Sequence, residues 1–238
     1  MMLFGGFCIA LVTGCCPAAS AGTEGAASAA ISPPHRGPAL SAPAAAPEIG
    51  NVYPGIDVLA ERNFDILAGK RVGLITNHTG ISRGNISDID ILYAAKEFKL
   101  VALFSPEHGI RGTADEKVAS GMDEKTGLPI HSLYGATRKP TPEMLANLDV
   151  LVFDMQDIGT RFYTYIGTMA MAMQAAREQN KLCVVLDRPN PIGGLKVEGA
   201  IPPEKLCGGN TCIYPIPTRH GMTIGELARF FNKYYEIG

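Results

Sequence analysis

An α/β fold, with a mostly parallel sheet and helices on both faces, follows from three features of the sequence. Short apolar runs rich in β-branched residues alternate with segments of helical period, polar residues cluster just after each apolar run, and helix-start signals fall between them.

Arg71 to Asn77 opens the pattern as a strand, because Val72, Leu74 and Ile75 form the near-continuous apolar run of a strand covered on both faces. Ser87 caps a helix to Phe98 that bears Ile89, Leu92 and Ala95 on one side. Leu100 to Phe104 is the next strand, and Thr141 to Leu148 the next helix, with Thr141 as cap and Pro142 at the first helical position. Val150 to Met155 is a third strand. The helix predicted over Tyr165 to Gln179 carries Met169, Met171 and Met173, which wrap most of its surface and read as core packing. Leu182 to Asp187 is a fourth strand and Thr223 to Tyr235 a last helix. After Leu74 and Ile75 come Thr76, Asn77, His78, Thr79 and Gly80, which match neither the dinucleotide nor the phosphate-loop glycine pattern. The expectation is a Rossmann-like sheet without a dinucleotide fingerprint and with no cofactor.

At 238 residues, 46% hydrophobic and 18% charged, the chain suffices for one large core. A net charge of −2 with scattered Lys and Arg argues against nucleic acid as a partner. Residues 1–16 are apolar, too short to span a bilayer as a helix, and end in small residues, as an export signal does. Within them Val12, Thr13, Gly14 and Cys15 resemble a bacterial lipobox, with Cys15 the lipidation candidate, although no Lys or Arg precedes the apolar run. Residues 17–50, rich in Ala, Pro, Ser and Gly, read as a disordered tether, leaving 51–238 as the folded domain. The expected location is outside the cytoplasm, periplasmic or held at a membrane by a lipid anchor alone. Cys183 falls in a strand, whereas Cys207 and Cys212 flank a Gly-Gly-Asn-Thr loop and are the pair that invites a disulfide. A single Cys-x4-Cys lacks the usual zinc ligand set, and no metal is expected.

The run Phe104, Ser105, Pro106, Glu107, His108, Gly109, Ile110, Arg111, Gly112 sets a carboxylate and an imidazole directly after a strand, where α/β sheets keep their ligand crevice. The other polar clusters fall likewise: Asn77 and His78, then Asp154, Gln156, Asp157 and Arg161, then Asp187, Arg188 and Asn190. Arg219 and His220, just before the last helix, can reach the same rim. Each has a structural alternative: Asp154 as a turn cap, Arg161 paired with Asp157, His220 satisfied in a turn. The irregular stretch 107–128 follows Glu107, and within it Asp123 to Gly127 reads as an exposed turn without chemistry.

Taken together, the runs GLITNHTG (73–80), FSPEHGIRG (104–112), DEKTGLP (123–129), SLYGATRKPTP (132–142), LDVLVFDMQDIGTRFYTY (148–165), VLDRPNPIGG (185–194) and YPIPTRHGMTIGEL (214–227) resemble the NamZ-type exo-β-N-acetylmuramidases, over residues 55–238. The resemblance implies removal of terminal β-linked N-acetylmuramic acid from peptidoglycan fragments, by a Rossmann-like domain facing a smaller second domain, and the expectation is that this sequence lacks the second domain. It assigns the acid/base role to Glu107, beside His108. A second group must steady the oxocarbenium-like charge, and Asp154, Asp157 and Asp187 all qualify, as does the substrate's own acetamido group. Asn77, His78, Gln156, Tyr163, Asp187, Arg188, Asn190 and His220 are the expected substrate-binding residues. Arg161 and Arg219 are expected to grip the lactyl carboxylate. Two alternatives stand beside this reading. One is a metal-dependent hydrolase using His78, His108, His220 and an Asp; the other is a noncatalytic cell-wall-binding lipoprotein.

Overall fold

A computed structural model describes residues 9–12, 52–106, 109–111, 120–135 and 137–237. Cys15, the tether 17–50, Glu107 and His108 lie outside the described residues. In chain order the elements are β1 (Ile9–Val12), α1 (Gly55–Glu61), β2 (Arg71–Thr76), α2 (Asp88–Ala94), β3 (Lys99–Ser105), β4 (Gly121–Met122) and β5 (Pro129–Ser132). They continue with α3 (Pro142–Leu145), β6 (Val150–Asp154), α4 (Tyr165–Glu178), β7 (Leu182–Leu186) and α5 (Ile224–Tyr234).

The sheet runs β1-β7-β6-β2-β3-β5-β4. Strands β7, β6, β2, β3 and β5 are parallel, and an antiparallel strand closes each edge. The chain leaves β2 toward β3 and β5, then crosses back to lay β6 on the other flank of β2. That reversal makes the carboxyl ends of β2 and β6 the topological switch point, where open α/β sheets bind ligands.

Alternation along the central strands supplies a core on each face. Leu151 and Phe153 join Met169, Met173, Leu227 and Phe231 under α4 and α5, while Val150 and Val152 join Leu59, Ile89 and Leu92 under α1 and α2. Both predicted caps are made: the Ser87 hydroxyl accepts from the Ile89 amide, and Thr141 from the Met144 amide, ahead of Pro142. The last helix carries a full capping box, Thr223 and Glu226 each bonding the other's backbone.

Two helices are shorter than the sequence predicts, α2 ending at Ala94 and α3 at Leu145, and four further features depart from the sequence reading. Residues 1–16 were assigned to export and not to the fold, yet Ile9–Val12 lies antiparallel along β7, paired from Ile9↔Leu186 to Val12↔Cys183, where an extended apolar run satisfies an otherwise open edge. The stretch 107–128 is not uniformly irregular, since β4 pairs with β5 across it. Asp123 is not an exposed turn residue: it is 4% exposed, takes two bonds from Arg111 at 2.8 and 2.9 Å, and accepts from Thr126. The methionines divide, Met169 and Met173 being buried and Met171 only half-buried, so α4 keeps one side partly in water.

Candidate active site

The site forms where β2, β3, β6 and β7 end. Asn77 follows β2, buried, and its Oδ1 accepts from the Thr79 amide at 2.8 Å and the Thr79 hydroxyl at 2.6 Å. That hydroxyl oxygen in turn accepts from the Gln156 amide at 3.0 Å, joining the β2 end to the β6 end across the switch point. Gln156 donates through Nε2 to the carbonyls of Asp157 and Pro189, extending the tie to the β7 side.

Beneath this layer runs a buried ionic one. Arg188 donates through Nε and Nη2 to Asp154 at 2.6 and 3.0 Å, and through Nη2 to the Ile81 carbonyl. Burial pushes the Asp154 carboxyl upward, against the pull of Arg188; burial also works against charge on Arg188, but Asp154 holds it raised. Asp88 is fully buried at the start of α2, and burial first, then the charge of Asp154, push its carboxyl well above the ordinary range. The hydrogen-bond count agrees. Thr76 Oγ1 lies 2.5 Å from Asp88 Oδ2, 3.0 Å from the Asp154 carbonyl and 3.2 Å from the Asn77 carbonyl, but a hydroxyl carries one proton. The contacts are satisfied together when Asp88 keeps its proton and donates to Thr76, freeing Thr76 to donate to a carbonyl. Gly80 makes room for this: a Cβ there would stand 2.3 Å from both Thr76 Oγ1 and Asp88 Oδ2.

The strap 214–222 crosses the rim, held by pairing of Thr160 and Glu198 with Arg219 and by the Arg161 amide on the Thr218 carbonyl at 2.8 Å. It brings His220, 2% exposed, to Asp157, 4% exposed. The Met222 amide donates to His220 Nδ1, so Nε2 bears the hydrogen and donates to Asp157 Oδ2 at 3.2 Å. The Gly159 amide donates to the same oxygen at 2.7 Å.

The predicted residues therefore separate by what each has left to offer. Asp154 and Arg188 are spent on each other. Asp187 anchors α5, accepting from the Thr223 hydroxyl and the Gly225 amide, and Asn190 bridges the Ile192 amide and the Met222 carbonyl. Arg219 is neutralised by Glu198 at 2.8 Å and also donates to the Ile192 carbonyl. Arg161 does not pair with Asp157; its Nη1 donates to the carbonyls of Ala200 and Ile216, and among the described residues no carboxylate neutralises it. His220 has both ring nitrogens occupied, and among the described residues no three His, Cys, Asp or Glu side chains gather as a metal site. His78 is exposed at the rim, and Tyr163 is half-buried with its ring edge-on to Tyr165.

Buried atoms left unpaired among the described residues include Asn77 Nδ2, Ser105 Oγ, Asp157 Oδ1, Thr160 Oγ1 and Arg161 Nε. Each of these ends or follows β2, β3 or β6 at the carboxyl side, while Asn210 Oδ1 in the loop 207–212 and Arg219 Nε on the strap are unpaired as well. Unpaired buried polar atoms are costly, and their collection on one rim marks where a polar ligand would complete them. Ser105, Thr79, Thr160 and Asp88 were missed in the sequence reading; Ser105 carried a signal, as the first polar residue after the β3 apolar run. A separate cleft of about 520 Å³ lies toward the opposite ends of the strands, between Arg71, Lys99 and Glu143 over Ala102 and Leu148. None of the predicted residues lines it.

Comparison with known proteins gives consistent matches. The family described as "Exo-beta-N-acetylmuramidase NamZ, N-terminal" matches residues 72–238. The peptidoglycan beta-N-acetylmuramidase NamZ of Bacillus subtilis (strain 168) is 56% identical over 188 residues, which are 78% of this chain and 45% of that protein. Crystal structures of two DUF1343 family proteins from Bacteroides fragilis superpose with TM-scores of 0.73 and 0.66, at 54% and 41% identity. Each match covers 77% of this chain and 46% or 47% of the other. The chain thus spans about half the length of the relatives it matches. By its strand-end site, its sheet and this similarity, the chain belongs to the NamZ exo-β-N-acetylmuramidase family, of which it carries the N-terminal region.

Proposed function

We propose that this chain forms the acid/base side of a glycosidase releasing terminal β-linked N-acetylmuramic acid from peptidoglycan fragments. The observation that carries the reading is the pair of unfilled groups flanking the switch point, Asn77 Nδ2 after β2 and Asp157 Oδ1 after β6. Position 107 follows the adjacent strand, β3.

Cleaving a glycosidic bond needs a proton for the leaving oxygen and a group that steadies positive charge at the anomeric carbon. Glu107 is assigned the first role. For the second, Asp157 is preferred over Asp154 and Asp187, because two N–H donors fix its Oδ2 while Oδ1, buried, is left without a hydrogen-bond partner among the described residues and can take up the anomeric charge or the acetamide N–H once the rim admits substrate. Asn77 Nδ2 and Ser105 Oγ, buried and unpaired among the described residues, are our candidates to donate to sugar oxygens. Arg161, without a carboxylate partner among the described residues, is preferred over the neutralised Arg219 for the lactyl carboxylate. Asp154, Arg188, Asp187, Asn190 and His220 are positioning residues that hold the strand-end loops together. The apolar first residues and Cys15 support export and a lipid anchor, in which case cleavage before Cys15 removes β1 and leaves β7 at the sheet edge of the mature protein; intact mass of the membrane-extracted protein, with or without a diacylglyceryl cysteine, tests this.

Release of p-nitrophenol from p-nitrophenyl β-N-acetylmuramide by the purified chain tests the activity. We expect turnover that resists chelators and falls by about 10²–10⁴ in Asp157→Asn with KM little changed. Muropeptide binding without release would instead establish a noncatalytic binder, and loss of release on chelation a metal-dependent hydrolase.

A further inference from the structure

The loop 207–212 leads into the strap beside Arg161 and brings two thiols together. Cys207 Sγ and Cys212 Sγ stand 2.9 Å apart, both half-buried and unbonded. The backbone holds them there: the Gly208 amide donates to the Cys212 carbonyl at 2.8 Å, and the Cys212 amide to the Gly209 carbonyl at 3.0 Å. Gly208 adopts φ +99°, a left-handed conformation that a side chain would resist. The tip of the loop rests on α4, where a Cβ on Gly167 would come within 3.0 Å of the Asn210 carbonyl oxygen. Its far end runs into Tyr214, whose ring stacks on Tyr235 at 4.0 Å and whose hydroxyl accepts from Gln174. Two residues on, the Ile216 carbonyl holds Arg161.

We propose that Cys207 and Cys212 form a redox-responsive disulfide that clips this loop and steadies the strap carrying the Arg161 and His220 contacts. The preformed approach of the sulfurs means that little backbone motion is needed to close the bond. The oxidant is a small disulfide of the glutathione class or the disulfide of a thiol oxidoreductase. The Cys207 thiolate attacks it and expels one thiolate; Cys212 then attacks the Cys207 sulfur of the mixed disulfide and expels the second. The two cysteines lose two protons and two electrons, and the oxidant leaves as two thiols. Burial pushes the Cys212 thiol up to about 11, which keeps its thiolate fraction small, so the second, intramolecular step rests on the 2.9 Å approach of the sulfurs and not on the acidity of this thiol.

The test is convenient because trypsin should release Leu206 to Arg219 as one peptide containing both cysteines. The folded chain is incubated with oxidised glutathione, denatured, capped with iodoacetamide and digested. The expected peptide is uncapped and two hydrogens lighter than the dithiol, while Cys212→Ser leaves Cys207 carrying a single glutathione. Reduction of the wild type should lower Tm by about 4–8 °C, as expected for a short closed loop in a domain of this size, with no such shift in the Cys207→Ser, Cys212→Ser double variant. Two capped thiols, two glutathione adducts, or a Tm indifferent to reduction would overturn the proposal.

Discussion

Arg188 closes on both oxygens of Asp154, at 2.6 and 3.0 Å, with 5% and 0% of the two side chains exposed. Asp154 ends β6 and Arg188 follows β7, so this buried pair fastens two adjacent strand ends beneath the switch point. Its value lies in balance, since either charge alone would stay buried without compensation.

Asp154→Asn should therefore destabilise the chain by about 3–5 kcal/mol in urea unfolding, because a cation is left stranded. Replacing both partners, Asp154→Leu with Arg188→Met, should cost markedly less than the single change. Equal losses in the two variants would show that packing, not charge, sets the cost.

Asp88 has the opposite character. Its raised folded-state affinity for a proton contributes stability that is complete below the unfolded value near pH 4, and that contribution is lost as pH rises toward the folded value. Asp88→Asn keeps a donor toward Thr76 but cannot ionise. Above about pH 4 the variant should gain on the wild type by up to about 1.4 kcal/mol per pH unit until the folded value is passed. Parallel stability curves would mean that Asp88 is ionised in the folded protein.

Asp123 acts at the acid end. Arg111 holds its carboxyl down to about 2, so its contribution is present above about pH 4 and disappears as pH falls toward 2. Asp123→Asn should remove about 2 kcal/mol at neutral pH and flatten acid unfolding between pH 4 and 2, read by circular dichroism.

The periodic part of the fold was legible because strands buried on both faces and capped helices write themselves into local sequence. Val72 to Ile75, Val150 to Phe153 and the Thr141–Pro142 start are examples. β5 was not legible: Pro129–Ser132 is short, half-buried and contains a proline and a histidine, and its register comes from β3. The rim could be located, since most of its polar residues follow strands and Arg219 and His220 precede the last helix, but their roles could not be divided. Whether Asp154, Asp157 or Asp187 keeps an unpaired oxygen depends on partners far along the chain: Arg188 for the first, His220 for the second, Thr223 and Gly225 for the third. Asp123 was misread for the same reason, its Arg111 partner being outside the turn; the Asp-x-x-Thr spacing held the available hint.

The central proposal is that Glu107 hands a proton to a departing sugar oxygen, and leaving-group dependence tests it most directly. An acid matters most when the leaving group is a poor one. Glu107→Gln should lower kcat/KM by about 10³ or more on a disaccharide of N-acetylmuramic acid linked to N-acetylglucosamine, and by much less on p-nitrophenyl β-N-acetylmuramide. An equal loss on both substrates, or retained cleavage of the disaccharide, would contradict the account.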